Sequence, residues 1–269
     1  MSESVPQRQD IPVLGLGTYG LEGDACRRTI LRALEIGYRH LDTAEDYGNE
    51  SAIGEALAET PLAREEIFLT TKVWYTHLAP DDLERHAEAS LDRLQTDHVD
   101  LLLIHWPNPE IPLEETLARM TALQEDGRAR SIGVSNFTPE LVRRAVAEAP
   151  IACNQVEYHP FLAQDELIAL ATRHGHVVSA YCPIARNEVA DDEVIQHVAQ
   201  SHGCTPAQIA LRWLVQQESV VAIPRSSKSD HLRENSEVFD FELTSDEMMS
   251  IAGRARGHRI VSPDFAPDW

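Results

Sequence analysis

Apolar positions along the chain alternate between short runs and longer stretches with helical spacing. Val13–Leu16 is a short apolar run, and Asp24–Ile36 follows with Ile30, Leu31 and Leu34 on one helix face. Tyr38–Leu41 then reads as a strand, Glu50–Ala58 as a helix, Ile67–Val73 as a strand and Pro80–Leu94 as a helix. Val99–Ile104 is a strand apolar on both faces. The pattern continues with a helix at Leu113–Glu125, a strand at Ser131–Val134 and a helix at Pro139–Glu148. Next come a strand at Ala152–Val156, a helix at Asp165–Arg173 and a strand at Val177–Tyr181. It closes with helices at Asp192–Ser201 and Pro206–Gln217, the strand Val220–Ile223, and helices near His231–Glu237 and Ser245–Ala252. Short strands alternating with helices imply a parallel sheet, and eight of them in one domain imply closure. The expected fold is α/β, a single (β/α)8 TIM barrel over residues 1–269 with an N-terminal cap segment and an extra C-terminal helix. The length suits it, since such barrels take about 250 residues.

Helix starts carry matching signals. Thr138-Pro139-Glu140 and Thr205-Pro206-Ala207 each set Thr before Pro at the first helical position. Thr244 followed by Ser245, Asp246 and Glu247 is a capping box.

Charge changes the picture. The chain has 23 Lys plus Arg against 44 Asp plus Glu, a net charge of −21. Only Lys72 and Lys228 are lysines. So negative a field repels nucleic acid and anionic lipid, which excludes those partners. The carboxylates are spread over the whole chain, which points to surface solvation in a salt-accumulating, cytoplasmic setting and to a halophilic protein; a merely acidic protein is the plainer alternative. No apolar run reaches the ~18 residues of a membrane span. Met1 to Asp10 is polar and has no signal-like apolar region. Cys26, Cys153, Cys182 and Cys204 form no CxxC motif and read as reduced thiols, most of them packed in the core. No apolar stripe is left over for a partner subunit, so a monomer is expected.

Active sites of such barrels sit at the C-terminal ends of the strands. Read in order, those ends carry Asp42 with Tyr47 on the following loop, Lys72, His105-Trp106, Ser135-Asn136, Gln155, Tyr181 and Ile223-Pro224-Arg225-Ser226. Taken singly, an Asp there is ordinarily a turn former, a loop Tyr ordinarily packing, and a His after an apolar strand ordinarily a satisfied core group. Lys72 differs, because a lysine ending an apolar strand is costly unless a carboxylate pairs with it. Asp42, Tyr47, Lys72 and His105 together make a proton-transfer site without an evident metal. A carbonyl accepts hydride as its oxygen gains a proton. Tyr47 can donate that proton, Lys72 is expected to lower the phenol's pKa, Asp42 to hold Lys72, and His105 to orient the carbonyl.

The chain resembles the aldo-keto reductases over essentially its whole length. The resemblance rests on Gly15-Leu16-Gly17-Thr18, Asp42-Thr43-Ala44 with Tyr47-Gly48-Asn49-Glu50, Thr71-Lys72-Val73-Trp74 and Asp100-Leu101-Leu102-Leu103-Ile104-His105-Trp106-Pro107. It continues in Ile132-Gly133-Val134-Ser135-Asn136-Phe137, Asn154-Gln155-Val156-Glu157, Ile223-Pro224-Arg225-Ser226-Ser227 and Glu234-Asn235. Arg259-Ile260-Val261-Ser262-Pro263 is similar to the compact prokaryotic branch, which includes the 2,5-diketogluconate and methylglyoxal reductases. The resemblance implies NADPH-dependent reduction of small aldehydes or ketones, 2-oxoaldehydes and keto sugars among them, with NADH as a second cofactor. It implies that Tyr47 is the proton donor and that Asp42, Lys72 and His105 are its partners. Ser135, Asn136 and Gln155 then bond the nicotinamide carboxamide, and Tyr181 stacks on its ring. Arg225, Ser226 and Ser227 hold the 2′-phosphate, and Glu234 and Asn235 contact adenine. Gly17, Thr18, Asp42, Pro183, Ile184 and Ile223 also line the cofactor, and Tyr19, Trp74, His105 and Trp106 line the substrate. Three positions depart from the family pattern. Tyr19 replaces a common Trp, Cys182-Pro183-Ile184-Ala185 replaces a Ser-Pro-Leu-Gly type run, and His231 replaces an Arg on the 2′-phosphate.

Other readings compete. Gly15-Leu16-Gly17-Thr18-Tyr19-Gly20 matches the Rossmann dinucleotide fingerprint, with Asp42 further on. However, Glu22-Gly23 separates it from a helix expected at Asp24, and no Tyr stands four residues before a Lys. A metal-dependent hydrolase would need a ligand spacing that is absent: His174-Gly175-His176 is the only close pair and lies at the bottom of the barrel, so no metal is expected. A non-enzymatic cofactor-sensing barrel remains as an alternative.

Overall fold

The computed structural model describes residues 6–269; the polar N-terminal stretch read above lies partly outside the described residues. A hairpin of β1 (Gln7–Arg8) and β2 (Ile11–Pro12) comes first and forms the expected cap segment. The barrel strands are β3 (Leu16–Gly17), β4 (His40–Asp42), β5 (Phe68–Val73), β6 (Val99–Ile104), β7 (Ala129–Ser135), β8 (Cys153–Glu157), β9 (Val177–Tyr181) and β10 (Val220–Ala222). All eight pair in parallel in sequence order. The seam closes through the Leu14–Ala222 bridge, where Gly15 N donates to Ala222 O at 2.9 Å and Ala222 N to Val13 O at 2.8 Å. The predicted run Val13–Leu16 is therefore split. Its first half zips the seam to β10 and only its end, with Gly17, pairs with β4.

Between the strands run α1 (Gly23–Ile36), α2 (Glu50–Glu59), α3 (Pro80–Leu94), α4 (Leu113–Glu125), α5 (Pro139–Glu148), α6 (Asp165–His174), α7 (Glu193–His202) and α8 (Pro206–Val215). After β10 come α9 (Ser229–Ser236) and the extra helix α10 (Ser245–Ala252). The caps are those the sequence announces. Thr138 accepts from Leu141 N, and Thr205 with Gln208 and Thr244 with Glu247 form capping boxes. α1 begins at Gly23 rather than Asp24, which puts the Asp24 carboxylate in the first turn, where the helix dipole favours it. α9 begins two residues before the expected His231, with Asp230 in its first turn.

Leu69, Leu103, Val134, Val156, Val178 and Val221 on the strands and Ile30, Ile53, Leu94, Leu117 and Ile209 on the helices are all buried. This one contiguous core fixes the strand ends rigidly, and the loops above them inherit that rigidity. Cys26 and Cys153 belong to it, whereas Cys182 and Cys204 are only half-buried, so half rather than most of the thiols are core.

Candidate active site

Lys72 is wholly buried, which its charge permits only because the fold supplies acceptors. Its Nζ donates to Asp42 Oδ1 at 2.6 Å and to Thr43 O at 2.8 Å. The other Asp42 oxygen accepts from Gln155 Nε2 at 2.7 Å. One carboxylate thus joins β4, β5 and β8 beneath the mouth. Tyr47 ends a 3-10 turn, Glu45–Tyr47, that follows β4, and Gly48 reverses the chain at φ 65°, a left-handed conformation glycine adopts without strain. Asn49 pins this turn: it donates to Thr18 O and Leu21 O and accepts from Thr43 Oγ1.

The Tyr47 ring meets Tyr19 edge-on at 5.1 Å and His105 at 5.6 Å, and Lys72 Nζ stands 5.1 Å from its centre. Burial, then the charges of Asp42 and Asp46, push the Tyr47 phenol well above the usual tyrosine value. The expectation that Lys72 lowers it is corrected. Burial of the phenol outweighs the nearby ammonium, and the charges of Asp42 and Asp46 act in the same direction as burial. Burial first and Lys72 second hold His105 well below the usual histidine value, so its ring is neutral near pH 7. One buried ring nitrogen, Nδ1, has no hydrogen-bond partner among the described residues.

The opposite half of the mouth is an amide network. Ser135 Oγ donates to Gln155 O at 2.8 Å, Asn136 Nδ2 to His105 O at 2.9 Å, and Tyr181 Oη to Asn136 Oδ1 at 2.8 Å. After Tyr181 the backbone of Cys182, Ala185, Arg186 and Asn187 is left-handed (φ 49°, 47°, 50° and 77°), carrying Pro183 and Ile184 between. Past β10 and Ile223, Arg225 is exposed and reaches Tyr19 O and Gly20 O at 3.3 and 3.2 Å. Ser226 is buried and bonds Lys228, while Ser227, Lys228 and His231 are exposed; Glu234 is half-buried and Asn235 buried. Lys228 is the N-cap of α9, so this loop has a second full cation that the sequence reading passed over. Gly17 and Thr18 are buried seam residues. A Cβ at Gly17 would lie 3.0 Å from Ile223 O, and the Thr18 hydroxyl bonds Asp42 O.

Tyr19, Trp74 and Trp106, the residues expected to line the substrate, lie beside Tyr47 and His105 or are joined to them through ring contacts, and two aromatic residues that no motif announced join them. Phe265 stacks on Tyr75 at 4.4 Å and meets Trp74 and Trp106 edge-on at 5.5 and 5.6 Å; Trp269 meets Trp106 at 6.4 Å. They lie in the segment after α10, which Glu157 holds down. Its buried carboxylate accepts from His159 Nε2 at 2.9 Å and from Ile260 N and Val261 N at 2.7 Å each. The available signal was two aromatic residues in a stretch with no predicted element, since such rings need cover. A cavity of about 470 Å³ opens beside this wall, between Asn108, Phe137, Arg144 and Phe265, but neither Tyr47, Lys72 nor His105 lines it.

The sequence offered no metal-site spacing. The fold nevertheless converges Glu45, His77 and His86, from separate loops and α3, just outside the Tyr47 turn. No helix among the described residues is long and apolar enough to cross a membrane.

Residues 13–255 match the Aldo/keto reductase family. The chain is 39% identical to "Methylglyoxal reductase DkgB" of Escherichia coli O157:H7, covering 96% of this chain and 99% of that one. It is 42% identical to an "Aldo-keto reductase" of Mycobacterium sp. (strain KMS), over 94% and 92% of the two chains. Among solved structures it is similar to a putative 2,5-diketo-D-gluconic acid reductase B, with TM-score 0.94, 41% identity and coverage of 97% and 94%.

Proposed function

The chain belongs to the aldo/keto reductase family of oxidoreductases, and we propose that it reduces small aldehydes or ketones, 2-oxoaldehydes and keto sugars among them, with NADPH as hydride source and Tyr47 as proton donor. The observation that carries this reading is Asp42, whose two oxygens tie Lys72, beside the phenol, to Gln155, among the strand-end amides.

The residues fit the cofactor. The Gln155 amide nitrogen is held by Asp42, which leaves its carbonyl oxygen to accept from a carboxamide NH2. Tyr181, fixed by Asn136, offers a ring face. The left-handed run after Tyr181 turns backbone N–H groups to one side, as nests for phosphate do. Arg225 and Lys228, at the N-terminus of α9, suit a terminal phosphate. His231 adds little charge at neutral pH, so NADPH is favoured over NADH by less than two arginines would give.

When bound, NADPH supplies the hydride that goes to the carbonyl carbon. His105, neutral, donates a hydrogen bond to the carbonyl oxygen and orients it. The Tyr47 O–H bond breaks and its proton goes to that oxygen, completing the alcohol. The tyrosinate left behind is stabilised by Lys72, whose ammonium has a third N–H beyond those given to Asp42 and Thr43, and is reprotonated from solvent. A phenol held well above its usual pKa stays protonated through the neutral range, as a donor must.

Tyr47→Phe tests this. Fluorescence titrations with NADPH and NADH are expected to match the wild type, with NADPH tighter, while methylglyoxal reduction falls by ~10²–10⁴-fold. A variant that keeps most of its turnover overturns the proton-donor role, and tighter NADH overturns the reading of the phosphate loop.

A further inference from the structure

Glu45 opens the 3-10 turn that ends in Tyr47, His77 ends the 3-10 turn Tyr75–His77 that follows Trp74, and His86 lies in α3. His77 Nδ1 stands 3.1 Å from Glu45 Oε1, and His86 Nδ1 stands 2.6 Å from Glu45 Oε2. One donor atom from each residue lies within 4.8 Å of the others. The two imidazoles are stacked, with centroids 3.6 Å apart and planes 15° off parallel. We propose that Glu45, His77 and His86 bind a divalent transition-metal ion of the zinc class at the rim of the barrel mouth. The site and the carbonyl-reducing site are separate assignments, and neither depends on the other.

The donor chemistry selects this class of ligand. Two imidazole nitrogens and one carboxylate suit zinc, nickel and their neighbours, whereas magnesium and calcium want oxygen alone. Without an ion, each Nδ1 must carry a proton to bond the carboxylate, so three groups of one cluster share two protons. A divalent ion replaces both Nδ1 protons at once and keeps the rings neutral. Asp46, exposed next to Glu45, adds negative charge on the same turn, and the net charge of −21 raises the local cation concentration.

The geometry is close to what an ion needs. Ligands at about 2.0–2.1 Å from a tetrahedral ion stand roughly 3.4 Å apart; the two N–O contacts are 2.6 and 3.1 Å, and all three donor groups already lie within 4.8 Å of one another. The stacked rings must splay to aim both lone pairs at one point. The imidazoles are 35% and 26% exposed and can turn, while the half-buried Glu45 is held by Trp74 N. Their exposure also lets water complete the coordination. An ion here ties the turn bearing Tyr47 to the turn bearing Trp74 and to α3.

The test uses the full chain stripped with EDTA and titrated with Co²⁺, then Zn²⁺. One equivalent of Co²⁺ is expected to give visible d–d absorption, which Zn²⁺ abolishes. Zn²⁺ at about 100 times its Kd should raise the Tm by roughly 5–10 °C. His77→Gln and His86→Gln should each weaken binding by at least ~100-fold, more than the loss of an outer-shell partner costs. Both variants are expected to keep the metal-free Tm within about 2 °C, a shift of about 1 kcal/mol at most, so that lost binding is not lost folding. A spectrum with no cobalt bands, which a cluster sharing only protons would give, overturns the proposal. So does stoichiometric binding that survives in both variants, since the ion would then sit elsewhere.

Discussion

Buried and exposed carboxylates behave as two different materials in this protein. Asp42, Glu50, Asp100, Glu157 and Asp192 are buried among the described residues, and each is fully engaged. Asp42 holds Lys72 and Gln155; Glu50 holds Thr71 and Arg93; Asp100 holds Arg64, Arg130 and Leu69 N. Glu157 holds His159 and two backbone N–H groups, and Asp192 caps α7 and binds Arg254. The exposed acidic residues outnumber the cations that could pair with them, since 44 carboxylates face 23 Lys plus Arg. The buried set therefore decides geometry one contact at a time, and the exposed set acts mainly through its summed field, its single ion pairs being worth little. Within the buried set, Asp42 ties Lys72 beneath the Tyr47 turn, the part the proposed reaction uses, and Glu157 holds the aromatic C-terminal segment in place.

The sharpest break is at Asp42. Asp42→Asn leaves Lys72 buried without a countercharge, which costs about 3–5 kcal/mol of stability. Turnover should fall by ~10²-fold or more as the Lys72–Tyr47 arrangement loosens. Pairing it with Lys72→Met removes the stranded charge, so urea unfolding should show most of the stability restored while turnover stays lost. Recovery of neither, or of both, would mean that the pair does not work as a unit.

Glu157 predicts a different signature. In Glu157→Gln the amide NH2 faces a backbone N–H of Ile260 or Val261, so one of those bonds becomes a donor–donor clash. Stability should drop by about 1–3 kcal/mol. The segment carrying Phe265 and Trp269 should lift, raising the KM for methylglyoxal by ~5–50-fold with kcat within ~3-fold, since only uniform binding is lost. Burial alone would raise the pKa of Glu157, but His159 and the two backbone N–H groups outweigh it and hold it below the usual carboxylate value. With the folded pKa depressed, the clamp is fully present above the unfolded value near ~4.3 and is lost as pH falls through the folded one. Wild-type KM should thus stay flat down to about pH 5, and a rise already at pH 6 would overturn the clamp's assignment to the Glu157 carboxylate.

This contrast also explains what the sequence could show. Val99–Ile104, Leu113–Glu125, Pro139–Glu148 and Ser245–Ala252 end where the periodicity places them, because their boundaries are local: Pro, Thr and the end of an apolar run. Asp42, Lys72 and His105 were legible because strand ends of a barrel converge by topology. The Glu157 clamp was not, because its donors are backbone N–H groups over 100 residues away that carry no residue signature. Glu45, His77 and His86 lacked any motif spacing and meet only through folding. The direction of the Tyr47 shift was misjudged because its largest cause is burial of the phenol, which only the folded packing reveals.

The smallest effect per residue belongs to the surface set, and it has a definite sign. Salt weakens surface ion pairs such as Arg144–Glu114 and Arg119–Glu84, each contributing only about 0–1 kcal/mol. It equally screens repulsion between neighbouring carboxylates. With 44 acids against 23 Lys plus Arg the repulsive contacts are in the majority, so screening stabilises on balance. The screening length falls from about 10 Å at 0.1 M to about 3 Å at 1 M, so the gain should come mostly below roughly 1 M. Thermal melts in KCl are expected to rise over that range, with activity lost below ~0.5–1 M salt by the same screening argument. Glu125 and Glu148 sharpen the test. Each is the last residue of its helix, α4 and α5, and exposed. There a carboxylate opposes the negative end of the helix dipole, at about 0.3–1 kcal/mol each. Glu125→Gln with Glu148→Gln should raise the Tm in 0.1 M KCl by roughly 1–5 °C and leave it unchanged in multimolar KCl. A wild-type Tm flat across the series would make the acidity incidental, and the halophilic expectation would fall with it.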